Sequence, residues 1–568
     1  MRFLGFCNRS IEYLFYSLFL LVPLVFAGNT SELFEFNKMW TTYIVTIGIA
    51  FFWFSKMFIL KKPVFKRTVL DIPILLFLIS QIISTLLTLD MHISFWGYYS
   101  RFNGGLLSII TYIFLYYAFT SNFFNNDEEI SNKKDFLSRN IKGITVVKRS
   151  LLVSVISGFL VALWAIPSHF GYDPTCLVFR GTLDVSCWTN DFQPKIRIFG
   201  PLGQPDWIAG YLGILLPISI AFILSTLHKS KKILNPSLVF HTLSFVLFYI
   251  TLLYSGSRSG IAAAIISLVI FGLLYGLVNR KNLEVVKNKF IYGLVGIIIL
   301  VSFIIGVQVP IANKFSLAEV QKILTKPTAT APSVKTPEVN QPVSTQELGG
   351  SSSWEIRKIV WTGAVNIWKA NPVFGTGVET YAFAYYKYRP VEHNRVSEWN
   401  FLYNKAHNEY LNYLATTGIV GLFTYLLFIS FFLFLISINL FNKKVKPIRY
   451  IGAFKADSKW DHEDPFLLAL LTSFISILII NFFGFSVVIL NIYLLLIPAF
   501  VLILLDLVKG ERIEAAKNVY ISYAQWIGVA FFGIIGLFML FMLVRFWYAD
   551  TKYALGANYS GAGQYLVA

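Results

Sequence analysis

Apolar residues along this chain form long runs separated by shorter polar stretches. A bilayer core about 30 Å thick requires roughly 20 apolar residues in a helix, because unpaired backbone groups are excluded from hydrocarbon. The runs predict an all-α, polytopic membrane protein with about thirteen transmembrane helices. The predicted spans are centred near Leu18, Ile47, Ile79, Tyr112, Gly158, Leu216, Leu247, Ser267, Ile298, Leu426, Ile475, Leu495 and Gly533.

Composition and charge support a membrane protein. Of the 568 residues, 56% are hydrophobic and 14% are charged, whereas soluble proteins carry about 25% charged residues. The 48 Lys and Arg residues exceed the 30 Asp and Glu residues and give a net charge of +18. These basic residues lie between the apolar runs, where they orient a chain in a bilayer. We therefore expect membrane lipids, and no nucleic acid, as partners.

The basic residues concentrate in alternate loops, which the positive-inside rule assigns to the cytoplasm. The N-terminus is predicted to be cytoplasmic and the C-terminus to be extracytoplasmic. An alternative is that the first apolar run, between Arg9 and Ala27, is a cleavable signal peptide. Its removal would upset the alternation of charge.

Two predicted extracytoplasmic segments are long. The first carries Cys176 and Cys187, which could form a disulfide outside the cell or remain two unpaired thiols. The second is a large helical loop at residues 310–406. Within it, residues 325–353 are rich in Pro, Thr and Ser, which predicts a disordered insert or linker.

The sequence predicts a membrane domain at residues 1–548, followed by a different kind of segment at residues 549–568. The spacing of small and aromatic residues there is typical of the first helix of a tetratricopeptide repeat. One such helix cannot bury its own apolar face, so we interpret the segment as the start of a truncated repeat. The alternative is a frayed amphipathic tail.

The predicted spans contain almost no ionisable residues, unlike those of an ion-coupled transporter. Charged groups gather instead at the predicted outer helix ends: Arg101, Arg197, Arg258, Arg357 and His407. Guanidinium groups bind phosphate oxygens at two points, and an imidazole can accept a proton near neutral pH. Arginines without acidic partners would require an anion. Taken singly, each arginine could be only an interfacial anchor and the histidine a cap.

Five segments carry these residues in order, and together they resemble the O-antigen ligase and O-antigen polymerase superfamily. They are SFWGYYSRFNGGLL, RIFGPLGQPDWIAGYL, SGSRSG, NPVFGTGVETY and HNEYLNYLATTGIVG. Members of this superfamily are membrane glycosyltransferases that use undecaprenyl-diphosphate-linked glycans. The resemblance implies a role in polysaccharide biosynthesis, with an active site on the extracytoplasmic face of the cytoplasmic (inner) membrane.

The resemblance also implies roles for individual residues. His407 would be catalytic, and Arg258, Arg357, Arg197 and Arg101 would bind the donor diphosphate. The Gly-rich turn before the sixth span departs from the family pattern, because it has Gln204, Pro205 and Asp206.

The expected partners are a lipid-linked glycan donor and a glycan, lipid or protein acceptor. No metal or other cofactor is expected, since no Asp-x-Asp pair lies on the outer side. Ligase and polymerase both remain open. A lipid-linked oligosaccharide flippase or other transporter is the alternative function.

Overall fold

The computed structural model describes residues 2–124, 143–189, 192–229, 235–278, 289–306, 316–317, 353–441, 465–508 and 521–567. Within these ranges the chain is helical and has no strand. The α-helices are α1 (Arg2–Leu21), α2 (Glu35–Leu60), α3 (Asp71–Leu86), α4 (Met91–Trp96), α5 (Leu106–Asn122), α6 (Gly143–His169), α7 (Pro174–Arg180), α8 (Pro205–Lys229), α9 (Pro236–Ser255), α10 (Arg258–Val278), α11 (Lys289–Ile305), α12 (Ser353–Ala370), α13 (Tyr381–Tyr388), α14 (Glu409–Phe441), α15 (Pro465–Phe483), α16 (Val488–Leu504) and α17 (Tyr523–Gly561).

Every predicted span centre lies in one of these helices. Eight described helices are long and apolar enough to cross a membrane: α2, α6, α8, α9, α10, α14, α15 and α17. Four shorter apolar helices, α3, α5, α11 and α16, and the 20-residue α1 contain the other predicted centres. The chain is thus a helical, polytopic membrane protein. The number of crossings and the orientation stay predictions.

The centre of the bundle is formed by helices that are apolar on all sides. Most of α8 is buried, and it packs against α9, α10 and α15. All but one of the residues of α16 are buried. A helix without a polar face can only be stable inside a protein or in a bilayer. The core therefore lies around α8, α15 and α16.

The helices contain more buried charge than the sequence predicts. Glu12 of α1 is 3% exposed, and its Oε1 lies 3.2 Å from Nη1 of Arg149 on α6. Lys38 of α2 is fully buried, and its Nζ donates to the backbone oxygens of Val25 and Pro201, each at 2.7 Å. The expectation of spans almost free of ionisable groups is wrong at these positions. A one-dimensional hydropathy pattern cannot reveal partners that come from distant segments.

The described part of the large loop has its own small core. Helices α12 and α13 pack together, and the buried residues include Val360, Ala364 and Tyr385. Residues 353–406 thus contain helices, while the extracytoplasmic loop at residues 310–406 stays a prediction. The predicted disordered insert lies outside the described residues, except for Ser353, which begins α12.

The large loop is joined to the membrane bundle at a kink in α14. Gly418 has φ 66° and ψ −169°, a conformation that is essentially restricted to glycine. The backbone amides freed at the kink, those of Ile419 and Val420, donate to the carbonyls of Pro372 and Val373 at 2.9 and 3.2 Å. The two most specific motifs of the sequence, NPVFGTG and LATTGIVG, are therefore hydrogen-bonded to each other.

Helix α17 continues without interruption from Tyr523 to Gly561, across the predicted domain boundary at residue 548. It packs beside α2, where Trp40 Nε1 donates to the Leu543 carbonyl at 2.9 Å. Only three of its residues are buried. The structure shows no repeat fold for residues 549–567, so the tetratricopeptide segment stays a prediction.

Candidate functional site

The loop before α5 holds Arg101 between two aromatic rings. The guanidinium carbon is 5.1 Å from the centroid of Trp207 and 5.4 Å from that of Phe485. Attraction between a guanidinium and a ring face orients the group. Its Nη1 is buried and has no hydrogen-bond partner among the described residues. A buried donor without a partner can donate a hydrogen bond to a bound anion.

Asp206, in the first turn of α8, connects two neighbouring segments. Its Oδ1 accepts a 2.6 Å hydrogen bond from Ser257 Oγ and lies 3.5 Å from Nη2 of Arg197. Arg197 also donates from Nε to the Ser255 carbonyl at 3.1 Å. The sequence-based view of arginines without acidic partners is therefore wrong for Arg197. Because both side chains are about 40% exposed, their pair contributes only about 0–1 kcal/mol, and its main effect is to position the groups.

Arg258 is the first residue of α10 and is exposed. It immediately follows Ser257, whose Oγ also accepts from the amide of Gly260 at 3.1 Å. The backbone of Arg258 thus lies beside Asp206. Among the described residues, no ion pair fixes its guanidinium.

Arg357 is in α12 of the large loop and is half-buried. Burial lowers the pKa of its guanidinium, the charge of Asp206 raises it, and Arg197 lowers it. Arginine remains protonated in proteins despite such shifts. Asp206 and Arg197 are therefore among the groups whose charges act on Arg357.

His407 lies just before α14, with its backbone in the left-handed region at φ 51°. Its ring centroid is 5.5 Å from those of Tyr403 and Phe485. Burial lowers the pKa of His407 to about 4, the charges of Arg357 and Arg101 lower it as well, and Asp206 opposes them. The imidazole is therefore neutral at pH 7 and can accept a proton.

Ring contacts, one ion pair and the influence of charges connect four of the five predicted residues. Arg101 and His407 share the ring of Phe485, while Arg197 and Arg357 share the charge of Asp206. Asp206 also acts on His407. Arg258 joins the group through its backbone only. We call these residues the arginine–histidine cluster: Arg101, Arg197, Arg258, Arg357 and His407.

The cluster lies where several helices begin. Arg101 and His407 precede α5 and α14, Asp206 is in the first turn of α8, and Phe485 precedes α16. The amino end of a helix carries a partial positive charge from its unpaired amides. These helix ends and the arginines create a positive potential around the neutral imidazole.

Sequence reasoning did not assign Phe485, Lys405 or Glu379 to the site, and it treated Asp206 only as a departure from a motif. Phe485 is in the link between α15 and α16, and no pattern in the sequence distinguishes it from the many other phenylalanines. Lys405 and Glu379 form an ion pair of 2.5 Å. The sequence offered one sign of this pair, because Lys405 is only two residues from His407.

A cavity with about 40 Å³ open to water molecules lies beside the cluster, between α3, α5, α14 and α16. Charged residues such as Glu379 and Lys405 and apolar residues such as Phe428 and Leu494 both line it. The cavity has room for about two or three water molecules. None of the clustered arginines lines this cavity.

Cys176 and Cys187 form a disulfide, with their Cα atoms 5.3 Å apart. It closes the segment that follows α6, where Cys176 is in α7. Cys7 is a buried free thiol. Among the residues that the structure describes, no group of three or more His, Cys, Asp and Glu side chains is arranged to hold a metal ion.

Comparison with known families gives a match to the family described as O-antigen ligase (Wzy_C), over residues 243–426. A search of curated proteins finds no match. The matched region runs from α9 into α14 and contains Arg258, Arg357 and His407, whereas Arg101 and Arg197 precede it. This part of the chain is therefore similar to the O-antigen ligase family, a finding that supports the O-antigen ligase and polymerase superfamily, and the apolar helices show a multi-pass membrane protein.

Proposed function

We propose that this protein is a glycosyltransferase that moves a glycan from undecaprenyl diphosphate to an acceptor hydroxyl at the outer face of the cytoplasmic membrane. The family match supports a role in polysaccharide assembly. The observation that carries the finer proposal is that Arg101 and His407 contact the same ring, that of Phe485. Asp206, the ion-pair partner of Arg197, and Arg357 also act on this imidazole through their charges.

The arginines suit the leaving group. A diphosphate carries negative charge that increases as its bond to the anomeric carbon breaks. Guanidinium groups that are already oriented stabilise such charge without reorganising, and loss of one donor typically costs about 2.7–4 kcal/mol of transition-state stabilisation. Arg101 Nη1 has no hydrogen-bond partner among the described residues, so it can donate to a phosphate oxygen. Arg258 is exposed and could approach the diphosphate from the solvent side.

His407 suits the acceptor. As a neutral imidazole it takes the proton from the acceptor hydroxyl while the acceptor oxygen bonds to the anomeric carbon. The bond from that carbon to the diphosphate oxygen breaks, and its electron pair leaves with the lipid diphosphate. The pKa of about 4 makes His407 a weak base in the free protein. A bound diphosphate would raise this pKa, because its negative charge offsets Arg357 and Arg101.

The proposal includes a metal-independent reaction, since the arginines supply the positive charge that a divalent cation would otherwise provide. The acceptor, whether glycan, lipid or protein, distinguishes a ligase from a polymerase. The alternative of a lipid-linked oligosaccharide flippase would need a polar path through the bundle.

The test is a reaction with the purified protein. A defined undecaprenyl-diphosphate glycan is incubated with candidate acceptors in the presence of a chelator, and the products are analysed by mass spectrometry. The proposal predicts a new glycosidic product and release of undecaprenyl diphosphate. A protein that moves the donor across proteoliposome membranes without forming any product would be a flippase, and the proposal would be wrong.

A further inference from the structure

Lys405 and Glu379 form a buried ion pair beside the proposed catalytic histidine. Nζ of Lys405 is 2.5 Å from Oε1 of Glu379, and the side chains are only 7% and 5% exposed. Burying two charges costs about as much free energy as their attraction returns. A contribution to stability alone therefore does not account for this pair.

The pair contacts the loop that carries Arg101. Gly104, three residues after Arg101, lies against both charged groups: a Cβ at this position would overlap the Glu379 carboxylate and lie 3.1 Å from Lys405 Nζ. Nζ of Lys405 is also 5.5 Å from the ring centroid of Phe485, the ring that contacts Arg101 and His407. The pair thus joins the Arg101 loop, the large loop and the segment before α14.

The backbone is in an unusual conformation on both sides of the Lys405–Glu379 pair. Glu379 has φ 59° and His407 has φ 51°, in the left-handed region that residues other than glycine adopt only when their surroundings hold them. After His407, the Asn408 side chain accepts from the Leu411 amide at 3.0 Å. Lys405 anchors the chain on the other side. His407 is fixed between these two anchors.

We propose that Lys405 and Glu379 are positioning residues that hold His407 in its left-handed conformation against the arginines. This inference rests on the proposed catalytic role of His407. Neither residue of the pair contacts a reacting atom. They act through the backbone of His407 and through the shared ring of Phe485. A misplacement of about 1 Å at a reacting group can lower a rate by about 100-fold.

The first test compares Lys405→Met and Glu379→Gln with the wild-type protein in steady-state transfer assays. Each change should lower kcat by about tenfold or more while the donor KM changes by less than about twofold. Lys405→Arg keeps the ion pair and should recover most of the rate. Lys387→Met and Glu392→Gln are matched controls, because both residues are exposed in the same loop. They should retain wild-type kcat.

The second test follows His407 itself. Diethylpyrocarbonate modifies neutral imidazoles, and peptide mass spectrometry gives a rate for each histidine. In folded, monodisperse Lys405→Met, the rate at His407 should change at least threefold, while exposed His92 should react as in the wild type. A positioning role predicts this change; a role in folding alone does not.

Unchanged kcat and unchanged His407 reactivity in Lys405→Met would overturn the inference. So would a loss of transfer that the smaller fraction of folded protein fully explains. If the wild-type protein transfers no glycan but Lys405→Met still alters the reactivity of His407, the structural role of the pair is supported and the proposed function fails. The two claims are therefore separable.

Discussion

The guanidinium of Arg197 lies 3.5 Å from the carboxylate of Asp206. This pair places one acidic group among the arginines, and the same carboxylate accepts from Ser257. Asp206 thereby positions the guanidinium of Arg197 and reduces the net positive charge of the cluster. A bound diphosphate would compete with the Asp206 carboxylate for the guanidinium of Arg197.

The charges of the cluster should control the protonation of His407. Arg357 lowers the pKa of this imidazole and Asp206 raises it. Replacing Arg357 by Gln should therefore raise the pKa from about 4, whereas Asp206→Asn should lower it further. The pH dependence of diethylpyrocarbonate modification at His407 measures both. Shifts in the same direction in the two variants would contradict the proposed arrangement.

Transfer should tolerate acid better than an ordinary histidine allows. The proposed base must be unprotonated to act. The pKa of His407 in the protein without bound donor is about 4. The value of kcat/KM reports the free enzyme, so it should stay level from pH 8 to about pH 5.5 and decline below that. A decline centred near pH 6.5, the ordinary value for histidine, would show that the base is a different or a more exposed group.

The contribution of Arg101 to transfer should depend on the planar shape of its guanidinium as well as on its charge. Arg101→Lys keeps the charge but loses the planar group that lies over Trp207 and Phe485. We expect transfer at low donor concentration to fall by about tenfold, equivalent to about 1.4 kcal/mol. Arg545→Lys is the control, since Arg545 also lies over a ring, 5.9 Å from Phe541, on exposed α17. Equal effects in both variants would contradict a specific role for Arg101.

The sequence predicted the scaffold better than the site. The thirteen span centres all lie in helices because long apolar runs have few alternatives in a membrane. The arginines and His407 were recognisable because they occur in motifs. Phe485 and the Lys405–Glu379 pair were not, because their importance depends on contacts between segments that are far apart in the chain. Buried Glu12 was missed for the same reason, since its partner Arg149 is on α6.

The kink in α14 should depend on glycine at position 418. A side chain there would collide with the Val373 carbonyl and would have to adopt the unfavourable conformation of Gly418. Gly418→Ala should therefore destabilise the protein by about 1–3 kcal/mol, seen as a lower Tm in detergent. Gly272→Ala is the control, since a Cβ at Gly272 meets no atom within 4 Å. Equal Tm values for the two variants would show that the kink tolerates a side chain.

The disulfide gives a prediction that does not depend on activity. The chain has three cysteines, of which only Cys7 is a free thiol. Alkylation of the denatured, unreduced protein should label one thiol, and prior reduction should expose all three. Intact-mass spectrometry counts the labels. Labelling of Cys176 and Cys187 without reduction would mean that the pair is not oxidised in the isolated protein.

The most direct test of the central claim is the rate of glycan transfer by His407→Ala, measured with purified protein and a defined undecaprenyl-diphosphate donor. The account predicts that transfer falls to background while the variant keeps the wild-type Tm and elution profile. His92→Ala, which changes an exposed histidine outside the cluster, should transfer at the wild-type rate. Transfer by His407→Ala at the wild-type rate would contradict the account.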